Sequence, residues 1–316
     1  MNKRFLFTLG LSALAAGIAT ETALRKKDKQ LQAYGQKVGV FGKYISTEII
    51  GNGDHVIVLY PGTCEVSPIL SYRPLAKQLA KYFTVITYEP FGYGDSDSTN
   101  HTRSLENMSE ELHQTMKALG YSHYSLGLHS SGGVTGMALA IKYPEEIESC
   151  LLIDTTPVEI TDYTSAVILE KASGYALKGL NHIGITRLLS KTNKLMPVVN
   201  GYTYTKQERN QYLQCALNNG FSKNKEEELN ELDLNLRSMV EQKYPVSIPV
   251  CSFVSTNTDK LLTKFGAPSE AWINAHKTLS DNPSSNFYTI DGSHYLQHSE
   301  PEMIARMYIN WFKDII

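Results

Sequence analysis

A serine between a short strand-like run and a glycine-rich helix start is the feature that most constrains this chain. Residues 124–128 suit a buried strand, and residues 132–142 suit a helix that begins with two glycines. Ser130 therefore lies on a sharp strand-to-helix turn, which holds a hydroxyl clear of its backbone beside free N–H groups. Gly132 and Gly133 let such a helix pack closely against the strand. Ser130 is the predicted nucleophile.

Apolar runs alternate with helical patterns along most of the chain. Residues 36–50 alternate apolar and polar side chains around glycine turns, which predicts an entry hairpin. Several later runs are continuously apolar, as in parallel strands covered on both faces. The predicted strands are 55–60, 83–88, 124–128, 147–153, 249–254 and 286–290, and the predicted helices are 72–82, 104–119, 132–142, 270–279 and 302–316. This succession predicts an α/β fold, with a mostly parallel sheet and helices on both faces.

The segment that separates the two groups of strands has a different pattern. Residues 158–245 show helical spacing and no strand alternation of any length. We expect residues 36–157 and 246–316 to form one core, and residues 158–245 to form an inserted helical cap. The charged run 223–233 is predicted to be a solvated helix face. Apolar cap residues need a partner surface, for which the mouth of the sheet is available: Val167, Ile168, Leu188, Leu189, Leu195 and Met196.

Charge and cysteine content argue against several classes of function. The 316 residues carry a formal net charge of -2, so the chain has no broad basic field, and no nucleic-acid motif is present. Its cysteines, Cys64, Cys150, Cys215 and Cys251, lack C-x-x-C spacing, so neither a zinc site nor a disulfide framework is predicted. We expect Cys64, Cys150 and Cys251 to be buried, and we expect no metal, no cofactor and no nucleic-acid partner. The oligomeric state is left open.

The amino terminus has the composition of a targeting segment. Residues 5–20 carry no charge, basic residues flank them on both sides, and the run is shorter than the roughly 20 residues that comfortably cross a bilayer. Residues 1–30 are therefore predicted to be a signal peptide or a short membrane anchor outside the fold. This predicts a membrane-anchored or secreted protein, rather than a cytoplasmic one, with membrane association through residues 5–20.

Three candidate catalytic groups each follow the carboxyl end of a predicted strand. In chain order they are Ser130, Asp259 and His294. In an open parallel sheet such ends meet at one crevice, so residues that are distant in sequence can converge there. A histidine can take the serine proton, and a carboxylate can orient the imidazole and stabilise its cation. Asp154, which closes the strand after the serine's helix, is the alternative acid to Asp259.

Further motifs surround these groups. Residues 89–96 read Glu-Pro-Phe-Gly-Tyr-Gly-Asp-Ser, residues 292–295 read Gly-Ser-His-Tyr, and residues 61–63 read Pro-Gly-Thr. They resemble the D-x-R-G-x-G-x-S loop, the G-x-H ending and the His-Gly-x loop of the α/β-hydrolase superfamily, hydrolase-1 type. The order serine, acid, histidine is also that of this family. The resemblance covers residues 36–316.

The resemblance carries implications and has departures. It implies the α/β-hydrolase fold with a helical cap, and an oxyanion hole formed by the backbone N–H groups of Thr63 and Ser131. The departures are Leu128 for the first glycine of G-x-S-x-G, Pro61 for histidine, Glu89 for aspartate and Phe91 for arginine. They affect the expected geometry of the oxyanion loop and leave all three catalytic positions filled.

These residues predict a serine hydrolase, most simply a carboxylesterase or lipase-like enzyme. Ser130 would attack a small or acyl ester with an apolar acyl group, and an acyl-enzyme would then be released by water. A serine at this turn disfavours epoxide-hydrolase and dehalogenase chemistry, which uses aspartate there in related folds. Two alternatives stay open: a proline-iminopeptidase-like aminopeptidase, and a non-catalytic ligand-binding protein on the same fold.

Overall fold

The structure is a computed structural model that describes residues 12, 15–24, 34–158, 164–190 and 196–316. Its strands are β1 (Gln36–Val40), β2 (Lys43–Ile50), β3 (His55–Tyr60), β4 (Phe83–Glu89), β5 (Tyr124–His129), β6 (Ile147–Ile153), β7 (Val250–Ser255) and β8 (Asn286–Ile290). Within the described residues they form one eight-stranded sheet in the order β1-β2-β4-β3-β5-β6-β7-β8. β1 and β2 pair antiparallel, as do β2 and β4, and every pairing from β4 to β8 is parallel. The predicted α/β fold with a mostly parallel sheet is confirmed.

Helices cover both faces of the sheet and fill the connection between β6 and β7. They are α1 (Pro68–Leu79), α2 (Leu105–Leu119), α3 (Gly132–Lys142), α4 (Thr164–His182), α5 (Ile185–Ser190), α6 (Lys206–Asn219), α7 (Lys223–Arg237), α8 (Thr256–Lys264), α9 (Ala271–Lys277), α10 (Leu296–Ser299) and α11 (Pro301–Ile315). α4 to α7 form the helical segment between β6 and β7. The other helices connect or follow the strands.

Neighbouring residues of the central strands belong to different cores, because successive side chains of a strand point to opposite faces. Val58 of β3 is buried in a core that includes residues of α2 and α3. Ile57 and Leu59 of the same strand are buried in a second core that includes residues of α1 and α11. Both faces of the central part of the sheet are therefore shielded from solvent, which explains why these strands are apolar along their whole length.

The charged run 223–233 is only in part the solvated helix face that its composition predicts, because Lys223 is exposed whereas Lys225 and Glu228 are not. Lys225 is fully buried, and Glu228 is only 7% exposed. The reason is helical periodicity, because these two residues share a face with the buried residues Leu229, Leu232 and Leu236. The ammonium of Lys225 donates to the carbonyl of Asn219 at 2.8 Å, so its charge is not left without a hydrogen bond.

The apolar residues predicted to pack beneath the cap divide into two groups. Val167 and Met196 are buried, whereas Ile168 and Leu188 are 60% and 65% exposed. Leu189 is half-buried, and Leu195 lies outside the described residues. Only part of the apolar surface of this segment therefore faces the rest of the protein.

The prediction of a membrane-anchored or secreted protein is corrected by the structure. Among the residues that the structure describes, no helix has both the length and the apolar character needed to cross a membrane. Residues 15–24 are helical, and Glu21 within them is buried. Its carboxylate accepts two hydrogen bonds from the guanidinium of Arg187, at 2.8 and 3.0 Å. Of the remainder of the predicted run 5–20, Ser12 alone is among the described residues.

Candidate active site

Ser130 lies on the turn between β5 and α3, as predicted. Its φ is +52°, a left-handed conformation that is strained for a residue with a side chain. The turn is held by its own backbone, because the Ser130 carbonyl accepts hydrogen bonds from the N–H groups of Gly133 at 3.0 Å and Thr156 at 2.9 Å. The residue is 8% exposed, so a nearly buried hydroxyl is presented at the end of the sheet.

Two glycines of α3 allow this helix to start so close to the sheet. A side chain at Gly132 would overlap the carbonyl of Pro61. A side chain at Gly136 would overlap the side chain of Leu128. The second contact explains the first departure from the family pattern. β5 can carry Leu128 in place of glycine because α3 has no side chain at the facing position.

His294 lies between the serine and a carboxylate. Its Nε2 is 2.9 Å from the Oγ of Ser130, and its Nδ1 is 2.7 Å from the Oδ2 of Asp154. The loop that carries it, after β8, is tied to β7, since the hydroxyl of Ser255 donates to the carbonyl of Gly292 at 2.6 Å. Both imidazole nitrogens therefore have a partner suited to proton transfer from serine to histidine.

Asp154, and not Asp259, is the acid in contact with His294. Asp154 is fully buried and has a φ of +42°, which turns its side chain back towards the end of β7. Besides His294, three donors reach its carboxylate: Ser255 N at 2.8 Å, Trp272 Nε1 at 2.8 Å and Thr258 Oγ1 at 2.5 Å. All four lone-pair positions of the carboxylate are thus used, which fixes its orientation.

The predicted acid Asp259 is directed elsewhere. It lies in the first turn of α8, where its carboxylate accepts the backbone N–H groups of Glu270 and Trp272, each at 3.1 Å. These contacts tie α8 to the start of α9, from which Trp272 reaches Asp154. The choice of Asp259 over Asp154 is therefore not supported by the geometry, because the carboxylate of Asp259 serves a helix terminus.

The structure brings Thr63 and Ser131 together beside Ser130. The backbone N–H of Thr63 donates to the Oγ of Ser131 at 2.8 Å, and the two hydroxyl oxygens are 2.6 Å apart. Ser131 is the N-cap residue of α3. Its backbone N–H is among the N–H groups that have no partner within a helix. Both predicted oxyanion donors are thus at the turn, and one of them already has an acceptor.

Two further histidines, His129 and His298, line the same pocket and take no part in the contacts between Ser130, His294 and Asp154. The Nε2 of His129 lies 3.2 Å from the carbonyl oxygen of His294, and its Nδ1 lies 3.2 Å from the hydroxyl of Tyr72. Burial lowers the pKa of His129 well below its usual value, so its ring is neutral and Nε2 can donate to that carbonyl. Burial also lowers the pKa of His298 to about 4.

A pocket of about 730 Å³ opens above Ser130 and His294. Its wall is predominantly apolar, with contributions from Val167, Leu177, Met196, Leu236, Leu262 and Trp272. Cys64 and Glu65, which follow the Pro-Gly-Thr motif of residues 61–63, also line it. Cys64 is half-buried, although burial was predicted for it. Cys150 and Cys251 are buried in the sheet, in agreement with the prediction. Among the described residues, no group of three His, Cys, Asp or Glu side chains could hold a metal ion.

Comparison with known proteins agrees with the fold. Residues 55–213 match the family model for the alpha/beta hydrolase fold. The chain belongs to the α/β-hydrolase family. Human serine hydrolase BPHL is 29% identical over 198 residues, which is 61% of this chain and 64% of that protein, so less than two thirds of BPHL is covered. YbdG of Bacillus subtilis, an uncharacterized protein, is 22% identical over 92% of this chain and 90% of its own length.

Solved structures resemble this chain over most of its length. ALR0039 from Nostoc sp PCC 7120 superposes with a TM-score of 0.69, covering 88% of this chain and 97% of that chain. At 17% sequence identity, this likeness concerns the fold. The reaction has to be argued from the site of this α/β hydrolase itself.

Proposed function

We propose that this α/β hydrolase is a serine hydrolase that cleaves carboxylic esters with apolar acyl groups through an acyl-enzyme. The observation that carries the proposal is the continuous contact from Ser130 Oγ to His294 Nε2, and from His294 Nδ1 to Asp154 Oδ2. These are the nucleophile, the base and the orienting acid that ester cleavage at neutral pH requires.

In the first half-reaction, Ser130 Oγ attacks the ester carbonyl carbon while its proton passes to His294 Nε2. Asp154 keeps the N–H of Nδ1 directed at its own Oδ2 and stabilises the imidazolium that forms. The tetrahedral intermediate then collapses as Nε2 returns the proton to the leaving alcohol oxygen. The products are the free alcohol and an acyl group in ester linkage to Ser130.

The second half-reaction uses the same groups on water. His294 Nε2 takes a proton from a water molecule as the water oxygen attacks the acyl carbon. The collapse of this second intermediate releases the carboxylic acid and restores the proton to Ser130. In both steps the developing negative oxygen needs preorganised donors, for which the Ser131 and Thr63 N–H groups are the candidates.

The proposed substrate class follows from the pocket beside the serine. An apolar wall favours an acyl chain, because each buried methylene contributes about 0.8 kcal/mol of transfer free energy. A volume of about 730 Å³ accommodates a small-molecule ester. We therefore expect kcat/KM to rise with acyl length until the pocket is filled.

The test combines active-site labelling with an ester series. A fluorophosphonate probe should label the wild-type protein and not Ser130→Ala, and p-nitrophenyl esters of increasing chain length should be hydrolysed only by the wild type. Ser104→Ala is a matched control, since it removes a serine hydroxyl at the start of another helix, α2. Equal labelling of Ser130→Ala, or binding of the esters without turnover, would favour the ligand-binding alternative.

One observation favours a second candidate, an aminopeptidase that cleaves an amide next to a free amine. Glu65 lines the same pocket, and its carboxyl could accept hydrogen bonds from an amine. Burial raises the pKa of this carboxyl, so a bound ammonium group would be needed to keep it charged. Proline p-nitroanilide tested against the p-nitrophenyl esters separates the two activities, and Glu65→Gln should depress only the anilide reaction.

A further inference from the structure

A series of hydrogen-bonded polar side chains connects helix α7 to residues 61–63, which carry the proposed oxyanion donor Thr63. Glu228 of α7 accepts a hydrogen bond from the Thr63 hydroxyl at 3.3 Å. The Thr63 hydroxyl oxygen is 2.6 Å from the Oγ of Ser131, and the same Oγ accepts the Thr63 N–H at 2.8 Å. Glu228 and Ser131 are each 7% exposed, and Thr63 between them is half-buried.

Burial raises the pKa of Glu228, and the nearby guanidinium of Arg103 acts in the opposite direction by favouring the carboxylate. With Glu228 ionised, the hydrogen atoms of these side chains have one consistent arrangement. A carboxylate only accepts, so the Thr63 hydroxyl donates to Glu228 and must itself accept from Ser131. The hydroxyl hydrogen of Ser131 then points at Thr63 Oγ1. Its lone pairs are left facing the Thr63 N–H, which makes Ser131 a well-oriented acceptor for that donor.

The position of Ser131 Oγ matters because an oxyanion donor works at 2.7–3.1 Å from the oxygen that it stabilises. A hydroxyl oxygen already lies 2.8 Å from the Thr63 nitrogen. A substrate oxygen that bonds this N–H therefore has to compete with a side chain of the protein itself.

We propose that the Ser131 hydroxyl is a built-in competitor for the Thr63 N–H, and that this donor turns to the substrate oxygen only as negative charge develops there. A hydrogen bond to an ionised acceptor is roughly twice as strong as one between neutral groups. The neutral ester carbonyl thus displaces Ser131 poorly, and the oxyanion displaces it well. The inference rests on the proposed serine-hydrolase function and assigns to Ser131 and Glu228 a role in positioning that donor.

Kinetics of Ser131→Ala test the proposal. Without the competing hydroxyl, the Thr63 N–H is free for the ground-state carbonyl as well as for the oxyanion. KM for a p-nitrophenyl ester should fall about two- to tenfold, the range expected for one neutral hydrogen bond, while kcat stays within about twofold. A kcat that falls tenfold or more would overturn the proposal, because the hydroxyl would then be stabilising the transition state.

A second variant tests the role of the hydrogen-bonded side chains that hold the Ser131 hydroxyl in place. Thr63→Val keeps the backbone N–H but removes the hydroxyl that joins Ser131 to Glu228. KM should fall in this variant by less than in Ser131→Ala, and adding Thr63→Val to Ser131→Ala should change KM no further. Full additivity of the two changes would contradict the proposal. Ser104→Ala, another N-cap serine, should change neither constant.

A readout that does not depend on turnover separates this inference from the proposed function. In the substrate-free protein, the amide proton resonance of Thr63 should move upfield in Ser131→Ala, because its hydrogen bond is lost. An unchanged resonance would overturn the inference even if Ser130-dependent hydrolysis is found. Absence of Ser130-dependent hydrolysis would overturn the proposed function instead, and the Thr63 resonance would still decide whether Ser131 occupies this donor.

Discussion

Asp154 and Asp259 follow neighbouring strands of the same sheet, yet their surroundings differ in kind. Asp154 is held by side-chain donors and by one backbone N–H, and it contacts His294. Asp259 accepts two backbone N–H groups at the start of α9. The difference shows that a carboxylate at the edge of a parallel sheet can serve either chemistry or helix geometry. Its backbone conformation and its donors decide which.

The largest expected effect comes from Asp154→Asn. Asparagine has the same size and tolerates the positive φ of this position, but it cannot fix the imidazole tautomer or stabilise the imidazolium. We expect kcat for a p-nitrophenyl ester to fall about 10³- to 10⁴-fold with an unchanged far-UV circular dichroism spectrum. A loss below tenfold would mean that Asp154 is not the orienting acid.

A third carboxyl sharpens the comparison, because Glu89 is buried with neutral donors and its pKa is raised by burial to about 7. The carboxyl of Glu89 keeps its proton in the native protein but releases it near pH 4.5 in the unfolded chain. Its contribution to the free energy of unfolding is therefore fully present below pH 4.5 and is lost as pH rises through about 7. The free energy of unfolding from urea titrations should fall by up to about 3 kcal/mol between pH 5 and 8. Glu89→Gln should remove most of this slope, and an equal slope in the variant would refute the assignment.

Trp272→Phe should have an intermediate effect, because it removes one of the four donors to Asp154. The loss of a hydrogen bond to a charged group costs about 1.5–3 kcal/mol of stability, and we expect kcat to fall about tenfold. Trp311→Phe is the matched control, since that indole N–H donates to the carbonyl of Ser284 at 2.8 Å, away from the site. If both variants lower kcat equally, Trp272 has no special relation to Asp154.

The smallest expected effect on rate is that of Asp259→Asn. The amide oxygen can still accept from one of the two N–H groups at the start of α9, so stability should fall by about 1 kcal/mol. Steady-state kinetics should give a kcat within about threefold of the wild type. A decrease comparable to that of Asp154→Asn would make Asp259 part of the catalytic machinery after all.

The sheet was predictable from the sequence because strands buried on both faces are apolar throughout, as Val58 and its neighbours show. Ser130 and His294 were predictable because strand ends of a parallel sheet converge. The choice between the two aspartates was not, since it depends on the φ of Asp154 and on donors contributed by α8 and α9. The burial of Lys225 was missed because composition conceals which face of a helix packs inward.

The central claim is that Ser130 carries the acyl group, and acyl-enzyme trapping tests it most directly. The protein is mixed with a p-nitrophenyl ester, quenched in acid within milliseconds, digested and analysed by peptide mass spectrometry. The account predicts a burst of p-nitrophenol and an acyl mass increment on Ser130 that is absent from Ser130→Ala. An acyl group on another residue, such as Cys64, or turnover that continues in Ser130→Ala would contradict it.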